Sequence, residues 1–295
     1  MSLPDDVRSA CARVASRARS VRVIEAAIEP YAETLSSLSP PAPDLDGTLE
    51  ERAAFSLTLN AINFGSGWFP TLRKTNGRSG FRTVEAGLRA HGPWSADALA
   101  AMTPEEIAVT VGQDPAHELM GHFARHLREL GERAGAFGSF LALARSGDGS
   151  AVRLAEELGS WPTFRDVSSY DGFEVPLFKR AQIAAADLAL AGIAPADDLS
   201  ALTIFADNLV PHVLRIDGVL EFDPALVARI DAEELIEHDS PEEVEIRACA
   251  VYAVELLVAA HGSTTATAVD NILWNRGAGA RYKAHPRHRA RTTDY

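Results

Sequence analysis

Hydrophobic positions along the chain repeat mostly with the spacing of an α-helix. Between residues 241 and 260 the apolar side chains recur every three or four positions, which gives a helix one buried face. Residues 178–190 are apolar around most of the helical circumference, as is typical of a buried helix. Strand-like alternation is scarce, and residues 173–177 are the best short candidate. The pattern predicts an all-α fold with at most a small β element, formed by residues 1–295 as a single helical domain.

Capping signals and prolines mark further element boundaries. Thr103 followed by Pro104 indicates a helix N-terminus, because threonine caps helices and proline fits their first position. Residues 39–43 contain three prolines and are predicted to form a stiff connector. Other helices are predicted from Ser2 or Asp5 toward Ser20, over residues 21–38, from about Leu49 to before Gly65, over residues 117–133 with a break at Gly135 and Gly138, and over residues 152–158.

Composition limits the classes of partner. The chain of 295 residues carries 28 Lys and Arg against 41 Asp and Glu, a formal net charge of −13, which disfavours a broad nucleic-acid surface. A local basic pocket for one phosphate stays compatible with that charge. No apolar run approaches the ~20 residues of a membrane span. We therefore expect a small-molecule substrate, and neither nucleic acid nor a membrane as partner.

Cysteine content points to a reducing compartment. Cys11 and Cys249 are the two cysteines, too few for a disulfide framework, and reduced thiols are the simpler interpretation. The first twenty residues carry charges where a secretory signal needs an apolar stretch. These features favour a cytoplasmic protein.

The segment HELMGH at residues 117–122 suggests a zinc site. It is similar to the HELLGH motif of the dipeptidyl peptidase III family, but that family's second motif, EECRAE, has no good match here. On a regular helix, histidines five residues apart diverge by ~140°. The alternative is an amphipathic helix with surface histidines, including His126. We expect no metal at His117, Glu118 and His122, and a zinc metallopeptidase stays an alternative function.

Asp207 is a carboxylate flanked by apolar residues. In one interpretation Asp207 or Asn208 caps a helix that has Pro211 in its first turn. In the other, the carboxylate of Asp207 lies in an apolar pocket, where it stabilises a developing cation or attacks an electrophilic carbon.

Polar residues also interrupt the apolar helix at residues 178–190. Lys179 and Gln182 lie three residues apart and project from the same face. Arg180 and Asp187 lie nearly in line, which suggests a buried ion pair beside a snorkelling lysine. The alternative is a polar face that binds a phosphate or a polar heterocycle.

Two further segments carry candidate binding residues. Residues 63–70 (NFGSGWFP) alternate aromatics with glycines, either as a stacking wall for a ligand or as a loop with core aromatics. Residues 285–291 (HPRHRAR) form either a disordered basic tail or a segment that folds back and places Arg289 or Arg291 on an anionic ligand.

Several stretches in chain order resemble the queuosine salvage family of queuosine 5′-phosphate N-glycosylase/hydrolases. Residues 161–183 (WPTFRDVSSYDGFEVPLFKRAQI) are similar to the family's FPSYRDV and FYKRAQI patterns. Residues 202–211 (LTIFADNLVP) resemble its LTMFADYRVPQ. Shorter similarities are residues 243–257 to EVEIRGCSIWAVELI, residues 270–274 to DFYLWD, residues 285–295 to HRTRxIYY, and Asn63 and Phe64 to NFCFW.

The resemblance implies both a fold and an activity. Members are all-helical, resemble DNA glycosylases, and release queuine from queuosine 5′-monophosphate. Asp207 matches the family's aspartate and Lys179 its lysine, and both are expected at the active centre. Asn208 and Leu209 replace an aromatic and a cationic residue of the family pattern, so the pocket wall differs.

The implied chemistry suits these residues. Cleavage of a C1′–N bond builds an oxocarbenium-like cation, which the carboxylate of Asp207 stabilises electrostatically or by a transient bond. Queuine is a 7-deazaguanine, so the leaving base needs donors at another edge than position 7. Lys179, Gln182 and Asn63 carry donors, and no cofactor or metal is required. A non-catalytic binder of modified bases is a further alternative. The expected substrate-binding residues are Asn63, Phe64, Trp68, Phe81, Gln182, Asn208, Arg289 and Arg291, with Lys179 or the two arginines on the phosphate.

Overall fold

The computed structural model describes residues 2–36, 40–74 and 77–295. These residues form fifteen α-helices and four short β-strands. The helices are α1 (Leu3–Ala15), α2 (Glu25–Ala32), α3 (Leu49–Ala61), α4 (Gly80–His91), α5 (Ala96–Ala100), α6 (Pro104–Val111), α7 (Glu118–Phe137), α8 (Phe140–Ala144), α9 (Ala151–Gly159), α10 (Lys179–Leu190), α11 (Leu209–Ile216), α12 (Pro224–Asp231), α13 (Pro241–His261), α14 (Ala266–Arg276) and α15 (Ala280–Lys283). The strands are β1 (Val21–Val23), β2 (Val167–Tyr170), β3 (Phe173–Pro176) and β4 (Leu220–Phe222).

The predicted helix starts are confirmed where capping residues mark them. Thr103 Oγ1 accepts from the amide of Glu106 at 3.2 Å, and the Glu106 carboxylate accepts from the amide of Thr103 at 2.9 Å. This reciprocal pair satisfies two backbone donors that the first turn of a helix leaves free. Thr48 and Glu51 repeat the arrangement at the start of α3. Local sequence therefore fixes where these helices begin.

The sheets are small, as the all-α prediction with a minor β element requires, and that prediction is confirmed. β2 pairs with β3 in an antiparallel hairpin, and β1 pairs with the distant β4. The helix predicted over residues 21–38 is wrong at its start, because Val21–Val23 forms a strand whose partner lies about 200 residues later. The end of that helix and Ser39 of the proline connector lie outside the described residues. α7 runs through Gly135 and ends at Phe137, and the next residue, Gly138, has a φ of 88°.

Two buried helices determine where polar side chains meet. α13 packs against α1, α2, β1, α11 and α14, and α10 packs between α3 and α9. This packing places the first turn of α10 beside the loop that precedes α11. Among the described helices, none is both long enough and apolar enough to cross a membrane.

Candidate active site

Lys179 is the first residue of α10 and is only 4% exposed. Its backbone amide donates to Asp166 Oδ2 at 2.9 Å, and its Nζ donates to the carbonyl of Asn63 at 2.9 Å. Phe178, directly before it, has a left-handed backbone with φ 48°, which is uncommon for an aromatic residue and often marks a functional site. Within the described part of the chain, two of the three ammonium donors of Lys179 have no partner.

Asp207 both caps a helix and keeps an oxygen free. Its Oδ1 accepts from the amides of Leu209 at 2.7 Å and Val210 at 3.2 Å, so the capping interpretation is confirmed. Oδ2 has no hydrogen-bond partner among residues 2–36, 40–74 and 77–295. The side chain is half-buried. Because one carboxylate has two oxygens, the cap leaves the other oxygen available for chemistry.

Asp270 on α14 bonds to the loop that carries Asp207 and is 7% exposed. Its Oδ1 accepts from the amide of Phe205 at 3.0 Å. Burial and the negative charge of Asp207 raise the pKa of Asp270 to about 8. Burial lowers the pKa of Lys179 to about 8, against the opposing effect of Asp207. The carboxyl group of Asp270 is therefore mostly protonated at neutral pH.

Asp187 lies on α10 and is partly exposed. Its Oδ2 accepts from Asn60 Nδ2 at 2.9 Å, and burial raises its pKa to about 6. The predicted Arg180–Asp187 ion pair is wrong, since Arg180 is fully buried and donates to backbone carbonyls. These carbonyls are those of Ala61 at 2.9 Å, Asp294 at 3.3 Å and Thr163.

Two residues predicted as an aromatic wall lie in the core instead. Phe64 is buried against Phe123 and His126. Trp68 is buried as well, and its Nε1 donates to Glu118 Oε2 at 2.8 Å. The loop of residues 63–70 therefore packs inward, and of its predicted ligands only Asn63 lies against Lys179.

Phe81 is a half-buried aromatic that lies close to α14. Its ring centroid lies 6.5 Å from that of Trp274 in an edge-to-face arrangement. Trp274 lies one helical turn beyond Asp270, so both side chains project from the same side of α14. Phe81 therefore stays a candidate wall residue, with Trp274 as a partner that sequence reasoning did not name.

Gln182 and Asn208 hold the protein together rather than facing the cluster. Gln182 Nε2 donates to Leu177 O at 3.0 Å and to Thr203 Oγ1 at 2.9 Å, and its Oε1 accepts from the Thr203 amide at 3.0 Å. Asn208 Nδ2 donates to the carbonyl of His288 at 3.1 Å. Both amides are buried, so the structure corrects their assignment as substrate ligands: they position the loop that carries Asp207.

The C-terminal segment is folded back onto the protein. The carbonyl of Tyr295 accepts from the amide of Gly65 at 3.0 Å. The two arginines predicted to hold a phosphate already have carboxylate partners: Arg289 pairs with Glu233, and Arg291 with Glu118 at 3.4 Å. The folded-back course of the segment is thus confirmed, whereas the placement of Arg289 or Arg291 on an anionic ligand stays a prediction.

Arg287 is the tail arginine that lies near Asp207. Crowding by surrounding protein lowers its pKa, while the charge of Asp207 favours its protonated form. Its side chain is nevertheless exposed. Among the described residues, no carboxylate forms an ion pair with it. Only its place in a basic tail marked Arg287 in the sequence.

A buried ion pair joins the segments that carry Lys179 and Asp207. Arg247 on α13 donates to Asp166 at 3.0 and 2.7 Å, and its Nε donates to Ala206 O at 2.9 Å. Both residues lie in stretches that resemble the family, but the sequence predicted no role for either of them. A signal was present, because a charged residue inside an otherwise apolar helix needs a buried partner.

The HELMGH segment does not assemble a ligand set. His117 caps α7 by accepting from the Leu119 amide at 3.2 Å, and its Nε2 lies 2.9 Å from Thr71 Oγ1. His126, predicted at the surface, is fully buried, so that prediction is wrong. Within the described ranges, the ligand atoms that converge to within 4.8 Å belong to His238, Asp239 and Glu243.

Comparison with known proteins gives the family. The profile of the queuosine salvage protein family matches residues 44–295. A queuosine 5′-phosphate N-glycosylase/hydrolase of Sphaerobacter thermophilus is 35% identical over 311 residues, covering 96% of this chain and 95% of the relative. Proteins of the same name are 33% identical in Dictyostelium discoideum (68% of this chain, 66% of the relative) and 34% identical in Bos taurus (46% and 43%). The chain therefore belongs to the queuosine salvage protein family.

Proposed function

We propose that this protein hydrolyses the N-glycosidic bond of queuosine 5′-monophosphate. Water adds at C1′, the C1′–N bond breaks, and the products are queuine and ribose 5-phosphate. The observation that carries the proposal is the free Oδ2 of Asp207, on a loop that bonds to the buried Asp270 and that the Arg247–Asp166 pair links to the backbone of Lys179. The names of the relatives support the same substrate for this chain.

Asp207 acts on the sugar. As the bond to the base stretches, positive charge develops at C1′ and O4′, and an anionic oxygen on that face stabilises it. The cap bonds from Leu209 and Val210 hold the carboxylate in place before the reaction, so little reorganisation is needed. Stabilisation is electrostatic or proceeds through a transient bond to C1′, which water then replaces.

Asp270 and Lys179 act on the leaving base. Position 7 of a 7-deazaguanine is carbon, so protonation at that position does not help departure. A carboxyl group with a pKa of about 8 is mostly protonated at neutral pH and serves as a proton donor to the base. The unpaired ammonium hydrogens of Lys179 supply further donors at the same place.

Arg287 binds the 5′-phosphate in this proposal. The phosphate of a nucleotide needs a local cation in a protein with a net charge of −13. Arg289 and Arg291 are neutralised by Glu233 and Glu118, whereas Arg287 is not paired within the described part of the chain. Its nearness to Asp207 suits a phosphate attached to the same ribose.

The setting follows from the same features. We propose that residues 1–295 act as one domain, in the cytoplasm, on a small-molecule nucleotide rather than on nucleic acid. The free, buried thiols of Cys11 and Cys249 and the acidic net charge support this setting.

One experiment tests the function. Purified protein is incubated with queuosine 5′-monophosphate, and free queuine and ribose 5-phosphate are followed by mass spectrometry. Release by the wild type but not by Asp207→Asn supports the proposal. Binding without release would favour a non-catalytic binder. Loss of activity on chelation, with recovery on adding zinc, would favour metal chemistry at His117, Glu118 and His122.

A further inference from the structure

Asp187 is a carboxylate for which this mechanism has no role. It lies eight residues after Lys179 on the same helix, about 12 Å along the axis. The side chain is partly exposed, although α10 is otherwise mostly apolar and packs between two other helices. An ionisable group in this position costs stability unless it is used.

The hydrogen bond to Asn60 does not explain a negative charge at Asp187. Asn60 Nδ2 also donates to Ser56 O at 3.1 Å, so this amide has a second partner within α3. A neutral asparagine at position 187 offers a carbonyl oxygen to the same donor. The hydrogen bond from Asn60 therefore requires only an acceptor at position 187, and it does not account for the negative charge of the carboxylate.

The surroundings point to a ligand that carries positive charge. Asn60, which donates to Asp187, accepts from Asn63 Nδ2 at 3.5 Å, and the carbonyl of Asn63 accepts from Lys179 Nζ at 2.9 Å, so contacts join Asp187 to the lysine of the candidate site. The negative charges of Asp187 and Asp207 also contribute to raising the pKa of Asp270. Lys179 and Asp270 are more than nine-tenths buried, and each has polar valences with no partner in the described ranges. Buried polar groups are normally satisfied, so these unpaired atoms indicate space for a polar ligand.

The position of Asp187 indicates which part of the bound nucleotide this carboxylate contacts. Asp187 is joined to the ammonium group of Lys179 through Asn60 and Asn63. The loop of Asp207 is joined to the backbone of Lys179 through different contacts, those of Arg247 and Asp166. With Asp207 at C1′ of the sugar, Asp187 therefore lies on the side of the base away from the ribose. Queuine carries a basic secondary amine there, on the substituent at carbon 7, and this amine is protonated at neutral pH.

We propose that Asp187 determines specificity by pairing with the protonated amine on the substituent of the base. The inference rests on the proposed function and deepens it. The ion pair with Asp187 discriminates between a base that has a cationic substituent and the same ring without one. Only the cationic substituent offsets the free energy lost when the carboxylate of Asp187 is desolvated.

The test compares two free bases that differ in the amine. Dissociation constants of queuine and 7-deazaguanine are measured by calorimetry for the wild type, Asp187→Asn, and Asp223→Asn as a control carboxylate on the surface. We expect Asp187→Asn to weaken queuine at least 30-fold and to leave 7-deazaguanine within 3-fold. Asp223→Asn leaves both values unchanged.

Each other outcome overturns the inference. Equal loss for both bases would make Asp187 a ligand of the common ring or a structural residue, and no loss would remove it from the site. A wild type that binds neither base also overturns it. Failure of the proposed function is separate, because it appears as absence of queuine release from queuosine 5′-monophosphate by the wild type.

Discussion

Arg247 donates to both carboxylate oxygens of Asp166, at 3.0 and 2.7 Å, and both side chains are fully buried. Each partner also bonds to the backbone beside a side chain of the candidate active site. Asp166 accepts from the amide of Lys179, and Arg247 donates to the carbonyl of Ala206, the residue before Asp207. The ion pair thereby fixes the separation between the lysine and the aspartate.

Removing one partner of this pair leaves a buried charge without compensation. We expect Arg247→Met or Asp166→Asn to lower the free energy of unfolding by about 3–5 kcal/mol, measured by urea denaturation. The matched control is Arg19→Met, since Arg19 also bonds both oxygens of an aspartate, Asp171, but is 63% exposed. That change costs at most about 1 kcal/mol. Equal losses for Arg247→Met and Arg19→Met would contradict a special role of burial.

Asp207→Asn keeps the cap but removes the charge. The amide oxygen still accepts from the amides of Leu209 and Val210, so stability and ligand affinity stay near wild type. Turnover falls at least ~100-fold, because charge stabilisation of the transition state is lost. The measurement is steady-state release of queuine together with the melting temperature. Asp223→Asn changes a similar cap, in which Oδ1 accepts from the Ala225 amide at 2.8 Å, and leaves turnover unchanged.

Near-normal turnover of Asp207→Asn would reduce Asp207 to its capping role. That result would also remove the main support for the reaction class, since the free Oδ2 of Asp207 is the group to which the proposed mechanism assigns stabilisation of the sugar cation.

Local sequence predicted most of the helices, because capping residues and apolar spacing act over a few positions. The capping and the chemical interpretations of Asp207 are compatible with each other, because Oδ1 caps α11 and Oδ2 has no partner in the described part of the chain. Phe64 and Trp68 could not be placed from local pattern, because an aromatic beside glycine looks the same in a core loop and in a pocket. Their inward orientation depends on packing against α7.

The C-terminal segment also shows that local sequence does not reveal contacts with distant parts of the chain. Composition marks residues 285–291 as basic, but which arginine is left without a carboxylate depends on Glu233 and Glu118, which belong to distant segments. The spacing of charges in the sequence does not show that Arg287, unlike Arg289 and Arg291, lacks a carboxylate partner among the described residues.

Arg287→Ala tests which tail arginine binds the phosphate. We expect the KM for queuosine 5′-monophosphate to rise at least ~10-fold, while the KM for the nucleoside changes less than 2-fold, because only the nucleotide loses a charge-assisted contact. Arg289→Ala is the control, since this side chain is already paired with Glu233. Parallel changes for nucleotide and nucleoside would show that Arg287 does not bind the phosphate.

Asp270→Asn should make the protein more stable and less active. The carboxyl of Asp270 has a pKa of about 8 in the folded state against an ordinary value of 3.8. Between those values the unfolded chain releases the proton while the folded protein keeps it, so folding stability falls as pH rises from about 4 to 8. Asparagine does not ionise and can still accept from the Phe205 amide. The variant therefore escapes this loss, and at pH 7 we expect a gain of about 2–4 kcal/mol.

The activity of Asp270→Asn moves in the opposite direction. Without a proton donor for the leaving base, turnover should fall at least ~100-fold at pH 7, although an amide of the same shape fills the site. Denaturation at pH 5 and pH 8 gives the second readout, since the stability advantage of the variant must be larger at pH 8. An advantage that does not grow with pH would mean that Asp270 is ionised in the folded protein. In that case it could not protonate the base, even if the substitution lowered turnover.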